Sequence, residues 1–125
     1  MYPIRIEKIG AIYLPHAPDD ADKIVKIAQH MASSGWTGRP VLLANCGDHV
    51  RAFTGTHRLC AAIGQDIEID AVYLPDDLSA DDWAAIELAN DDDDLLVALV
   101  DIGTRRDDMQ ASIDVMQAEC NSNAA

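Results

Sequence analysis

Aromatic side chains are scarce: Phe, Tyr and Trp make up 5% of the 125 residues, so a core must come from Ile, Leu, Val and Ala. Basic side chains are outnumbered, nine Lys and Arg against twenty-two Asp and Glu, for a formal net charge of −13. No Lys or Arg occurs from position 59 to position 104. Phosphate neutralisation along a duplex needs clustered bases, so non-specific DNA binding is disfavoured, as is an anionic membrane surface. There are only three cysteines (Cys46, Cys60, Cys120), at no metal-like spacing, which fits a reducing compartment better than a disulfide scaffold. No run approaches the roughly 18 apolar residues of a membrane span. The opening MYPIRIEKIG lacks the apolar stretch of a signal peptide. The expectation is a cytoplasmic protein.

What is present supports a folded chain. Hydrophobic residues account for 49% of the sequence, and a chain this long buries roughly two-thirds of its unfolded surface without staples. One domain over residues 1–125 is expected. The charge is divided unevenly: residues 1–65 carry a formal +2 and residues 66–125 a formal −15.

Patterning predicts the element order. Residues 4–14 are rich in β-branched side chains and read as one strand or two short ones, ended by Pro15 and Pro18. Asp19, Asp20 and Asp22 precede an apolar stripe (Ile24, Val25, Ile27, Ala28, Met31) and predict a helix near 20–33. Residues 40–44 and 49–53 read as a hairpin around Asn45-Cys46-Gly47-Asp48. A helix follows from about 57 to 63, ended by Gly64, then a strand over 67–74. The remainder reads as helical. Ser79-Ala80-Asp81-Asp82 resembles a capping box, and Asp91–Asp94 can cap a helix over 95–101. Residues 105–119 carry Met109, Ile113 and Met116 on one face, and the last five residues are expected to fray. The fold class is therefore α+β: a small mixed sheet with a β-α-β-β-α-β core over 4–75, then an acidic helical extension over 76–120.

The most informative segment is Gly55-Thr56-His57-Arg58. A strand runs into a Gly and a helix begins at once. Gly permits a sharp turn and close approach of a ligand. The first N–H groups of a helix lack intrahelical partners, which suits an anion. Thr56 can cap or donate its hydroxyl, and His57 and Arg58 add donors, Arg58 as a bidentate clamp. The plain alternative is a turn glycine, a capping threonine and two solvent-facing side chains.

The layout resembles the ParB/sulfiredoxin superfamily. The pieces that carry the resemblance are the helix over 22–31, Arg39-Pro40-Val41-Leu42-Leu43, the strand over 49–53, Gly55-Thr56-His57-Arg58-Leu59-Cys60-Ala61-Ala62 as a G-x-[HR]-R-x-x-A-A turn and helix, and the strand over 67–73. It covers roughly residues 4–75. The resemblance implies a site for the phosphates of ATP or CTP, often with Mg²⁺, in which Gly55, Thr56, His57 and Arg58 form the phosphate loop. His57 and Arg58 would be the catalytic pair, and Lys23 stands where sulfiredoxins place a helping base. Lys26, one turn on, could share that role; for both lysines the alternative is a solvated side chain. Two departures limit the analogy. Thr56 occupies the position of the sulfiredoxin nucleophilic cysteine, which excludes thiolate chemistry there. Glu87-Leu88-Ala89-Asn90 has no following Arg, so the second ParB phosphate motif is incomplete and nucleotide-switched DNA clamping is doubtful.

Other constellations are weaker. His16, His30, His49 and His57 have no metal-binding spacing, and Asp91–Asp94 lacks the spaced ligands of a calcium loop. Trp36 either lines the site mouth or seals the core. Asp48 or Asp66 is a candidate Mg²⁺ ligand. Two functions follow as expectations. In the first, the chain binds ATP, CTP or a phosphate group and hydrolyses or transfers phosphate, with a ParB-like nuclease as a subsidiary version. In the second, it is a non-enzymatic regulator or inhibitor, of the kind phages and plasmids carry, whose acidic half imitates DNA and binds a basic protein. A homodimer would follow if the Met109 stripe were exposed.

Overall fold

A computed structural model describes residues 2–5, 11–63, 65 and 67–124. Gly64, the expected helix stop, and Asp66 lie outside the described residues. So do 6–10, the middle of the first expected strand region.

Two short strands, β1 (Tyr2–Arg5) and β2 (Ala11–Tyr13), come first. Helix α1 (Ala21–Ser34) starts where Asp20 accepts a hydrogen bond from the Lys23 N–H, and its C-terminal Gly35 N–H donates to the Met31 carbonyl. Strands β3 (Val41–Asn45) and β4 (His49–Ala52) form the hairpin. Helix α2 (Thr56–Ala62) leads to β5 (Glu68–Tyr73). Three helices complete the chain: α3 (Ala80–Glu87), α4 (Asp92–Gly103) and α5 (Gln110–Ala124).

The five strands lie in the order β1-β5-β3-β4-β2. Pairing alternates: β1/β5 and β3/β4 are antiparallel, β3/β5 and β2/β4 parallel. The sheet is mixed and the class α+β, as expected.

Alternation along the central strands separates two cores. Val41 and Leu43 of β3, with Ile69 and Ala71 of β5, face α1 and α2, where Met31, Leu59, Ala61 and Ala62 are buried. Leu42 and Ala44, with Val72 and Leu74, face the opposite way onto Ile86, Leu95, Leu99, Ile102, Met109 and Met116 of the C-terminal helices and the turn before α5. Burying side chains on both faces makes β3 an almost unbroken apolar run.

Three local readings are refined. Ser79 accepts from the Asp82 N–H, but the Asp82 carboxylate accepts from Arg105 instead of closing the capping box. The last helix begins at Gln110, not near 105, because Arg105 and Arg106 are held by acids outside a helical geometry: Arg105 by Asp82 and Asp101, Arg106 by Asp77 and Asp108. That helix continues to Ala124. The Met109–Ile113–Met116 stripe packs into the core, which removes the exposed face on which a homodimer was conditional.

Candidate functional site

Where β4 ends, Thr54 accepts a hydrogen bond from the Leu42 N–H and fixes the turn against β3. Gly55 follows with φ +82°, in the left-handed region. A Cβ on Gly55 would stand 2.5 Å from Val41 Cγ1, so both conformation and space demand glycine. No side chain caps α2, and Thr56 is its first residue rather than its cap. With seven residues, α2 gives only a short dipole, so side chains must supply most of the charge at this turn.

They do so in a cleft of about 640 Å³. Every residue expected at the site lines it: Gly55, Thr56, His57, Arg58 and Lys23. Lys26 and Arg39 join them, so four of the nine Lys and Arg meet in one cleft of a protein with net charge −13. Asp92 and Glu119 are the carboxylates on its wall.

Arg58 is the centre of the arrangement. Its guanidinium lies 4.9 Å from the centre of the Trp36 ring, and Nη1 donates to the Arg39 carbonyl. Nη2 is buried with no hydrogen-bond partner. Burial, and then the charge of Arg39, lower the Arg58 pKa, while Glu119 opposes them. The Thr56 hydroxyl is likewise buried without a partner, on a residue 3% exposed, and so is the Trp36 Nε1–H. Buried polar atoms are almost always paired, because an unpaired one costs about 1–3 kcal/mol. Three orphans around one stacked guanidinium therefore require an explanation.

His57 is held differently from expectation. Its Nε2 lies 3.0 Å from Asp19 Oδ1, which requires a proton on Nε2 if the carboxylate is ionised. Its ring meets His16 edge-on at 6.0 Å. Nδ1 is then the atom left to face a ligand.

Sequence reasoning missed the far wall. Arg39 Nε donates to Glu119 Oε2 at 2.7 Å across eighty residues of sequence, which brings α5 to the cleft. No local pattern signals such a contact. Trp36, open between mouth and core, lies under Arg58 with its N–H buried. Asp48 does not line the cleft; the His49 ring pairs with it and lowers its pKa. Cys60 is partly buried, and burial raises its thiol pKa, which suits packing rather than nucleophilic attack. Among the described residues no group of three or more His, Cys, Asp or Glu could hold a metal ion, and no helix is long and apolar enough to cross a membrane.

The chain matches no family model and none of the curated proteins with which it was compared.

Proposed function

We propose that the cleft binds the phosphate groups of a nucleoside triphosphate, ATP or CTP, and that the chain is a ParB/sulfiredoxin-like nucleotide-binding protein able to hydrolyse or transfer phosphate. The observation that carries this reading is the pair of unpartnered buried groups, Arg58 Nη2 and Thr56 Oγ1, on the wall of the cleft that gathers Lys23, Lys26 and Arg39. Each would donate to a phosphate oxygen once a side-chain rotation brings the buried atom to the cleft, and phosphoryl transfer is mostly positioning and charge neutralisation, for which no covalent nucleophile is needed. Arg58, pre-stacked on Trp36, loses little side-chain freedom on binding. His57, oriented by Asp19 through Nε2–H, would donate Nδ1–H to the charge developing on the transferred group only as the imidazolium, with both ring nitrogens protonated. Mg²⁺ usually travels on the phosphates with one or two carboxylates; Asp92 and Glu119 are the acids on the wall.

The test is titration with Mg²⁺–ATP and Mg²⁺–CTP, followed by tryptophan fluorescence. Trp36 beneath Arg58 should report binding, and Arg58→Ala should abolish the response. Silence towards every nucleotide overturns the proposal.

A second reading, the regulator that binds a basic protein through its acidic half, is favoured by one surface. On α4, Val97 is 69% and Val100 47% exposed, one helical turn apart. Asp93 and Asp101 lie on the same exposed helix. Under this reading a basic partner binds in a salt-sensitive way and is lost with Val97→Lys; a partner indifferent to both tests sinks it.

A further inference from the structure

A second cleft of about 700 Å³ adjoins the first, and His16 and Asp92 line both. Its chemistry is different. Tyr13 of edge strand β2 stacks on His49 of β4, ring centres 4.2 Å apart and planes inclined by 22°. The parallel pairing of the two strands places Tyr13 beside Arg51 and Ala11 beside His49. Tyr13 is nevertheless 57% exposed, an unusual position for a large aromatic in a chain with so few. Phe53, Leu14, Ile86 and Leu95 give the cleft an apolar lining. Its single Lys or Arg, Arg51, is engaged by Glu87 and by the face of Phe53.

We propose that this second cleft is the nucleobase end of the same ligand site, so that one nucleoside triphosphate spans both clefts, its base stacked on Tyr13 and its phosphates at Arg58. The proposal rests on the phosphate reading above and adds the substrate class and the orientation. Two observations fix the direction. Each cleft has two carboxylates, but four cations line the first and one the second, so the phosphates belong in the first. Among the described residues, the only large aromatic platform with an exposed ring lies in the second, and every base offers a π-face to such a platform. His16 is the hinge between them: its ring touches His57 of the phosphate turn and it lines the aromatic cleft as well.

The experiment is calorimetric titration of wild type, Tyr13→Ser, Tyr13→Phe and Arg58→Ala with Mg²⁺–ATP, Mg²⁺–CTP and Mg²⁺–tripolyphosphate, the last having phosphates and no base. Tyr13→Ser should weaken at least one nucleotide about tenfold and leave tripolyphosphate unchanged. Tyr13→Phe should restore nucleotide affinity, and Arg58→Ala should weaken all three ligands. The base subsite is overturned, with the phosphate reading intact, if wild type binds tripolyphosphate as tightly as both nucleotides, or if Tyr13→Ser leaves the nucleotides unaffected or weakens tripolyphosphate equally. If wild type binds none of the three, both readings fail. Thermal unfolding of Tyr13→Ser checks that this exposed position leaves the fold intact.

Discussion

The two faces of the sheet treat charge in opposite ways. On the α3–α5 face, Arg105 and Arg106 are each held by two carboxylates, and Ser79 and Asp91 cap the helices they precede. On the α1–α2 face, four cations gather with two carboxylates, and buried donors at Arg58, Thr56 and Trp36 are left unpaired. The two arginines of the acidic layer are thus fully engaged by carboxylates, whereas buried donors of the basic cleft stay without partners.

Three kinds of perturbation probe this contrast, in decreasing order of effect. In the acidic layer, Leu99 is fully buried, and Leu99→Ala should cost about 2–5 kcal/mol. In the basic layer, Gly55→Ala meets both a left-handed φ and Val41, and should cost about 3 kcal/mol. Chemical denaturation of the two variants should show similar losses, because apolar packing supports both faces. A Gly55→Ala protein as stable as wild type would mean that the turn relaxes and that its glycine is not a steric requirement.

Polar substitutions should separate the faces. Asp82→Ala removes the buried partner of Arg105 and should lower stability by about 1 kcal/mol with nucleotide binding unchanged. Arg58→Met keeps an apolar stem against Trp36 and removes a buried, unpartnered nitrogen. Its stability should stay within about 1 kcal/mol of wild type while nucleotide binding is lost. The reverse outcome, stability lost with Arg58 and binding lost with Asp82, would exchange the roles assigned to the two layers.

The smallest effect is alkaline. Burial first, then the carboxylate of Asp93, push the Cys120 thiol up to about 11. The folded protein therefore holds this proton more tightly than the unfolded chain does. The associated stability is complete below the ordinary thiol pKa and is lost as pH rises towards about 11. Melting temperatures across that window should fall more steeply for wild type than for Cys120→Ala; equal slopes would show that the thiol contributes nothing.

The element order was legible because it is local. The Asp20 cap, the hairpin around Gly47 and the helix after Gly55 each follow from a few neighbouring residues. So was the Gly55–Arg58 turn, whose residues are contiguous. What escaped is what depends on distant residues. The start of α5 moves to Gln110 because Asp77, Asp82, Asp101 and Asp108 hold the two arginines. Arg39–Glu119 and the stacking of Tyr13 on His49 are pairings across eighty and thirty-six positions, for which a single sequence carries no periodicity. The charge split pointed to the correct half for the cations but not to Asp92 and Glu119, which the acidic half sends into the cleft wall.

The Arg39–Glu119 pair also sets a clock. Synthesis runs from the N-terminus, and Glu119 lies in the last helix of the chain. The sheet and the Gly55–Arg58 turn can form while α5 is still inside the ribosome, but the cleft wall closes only when α5 emerges. A chain halted before α5 would present four cations with one of their two balancing carboxylates missing. The cleft wall is therefore completed by a residue synthesised eighty positions after the arginine it pairs with.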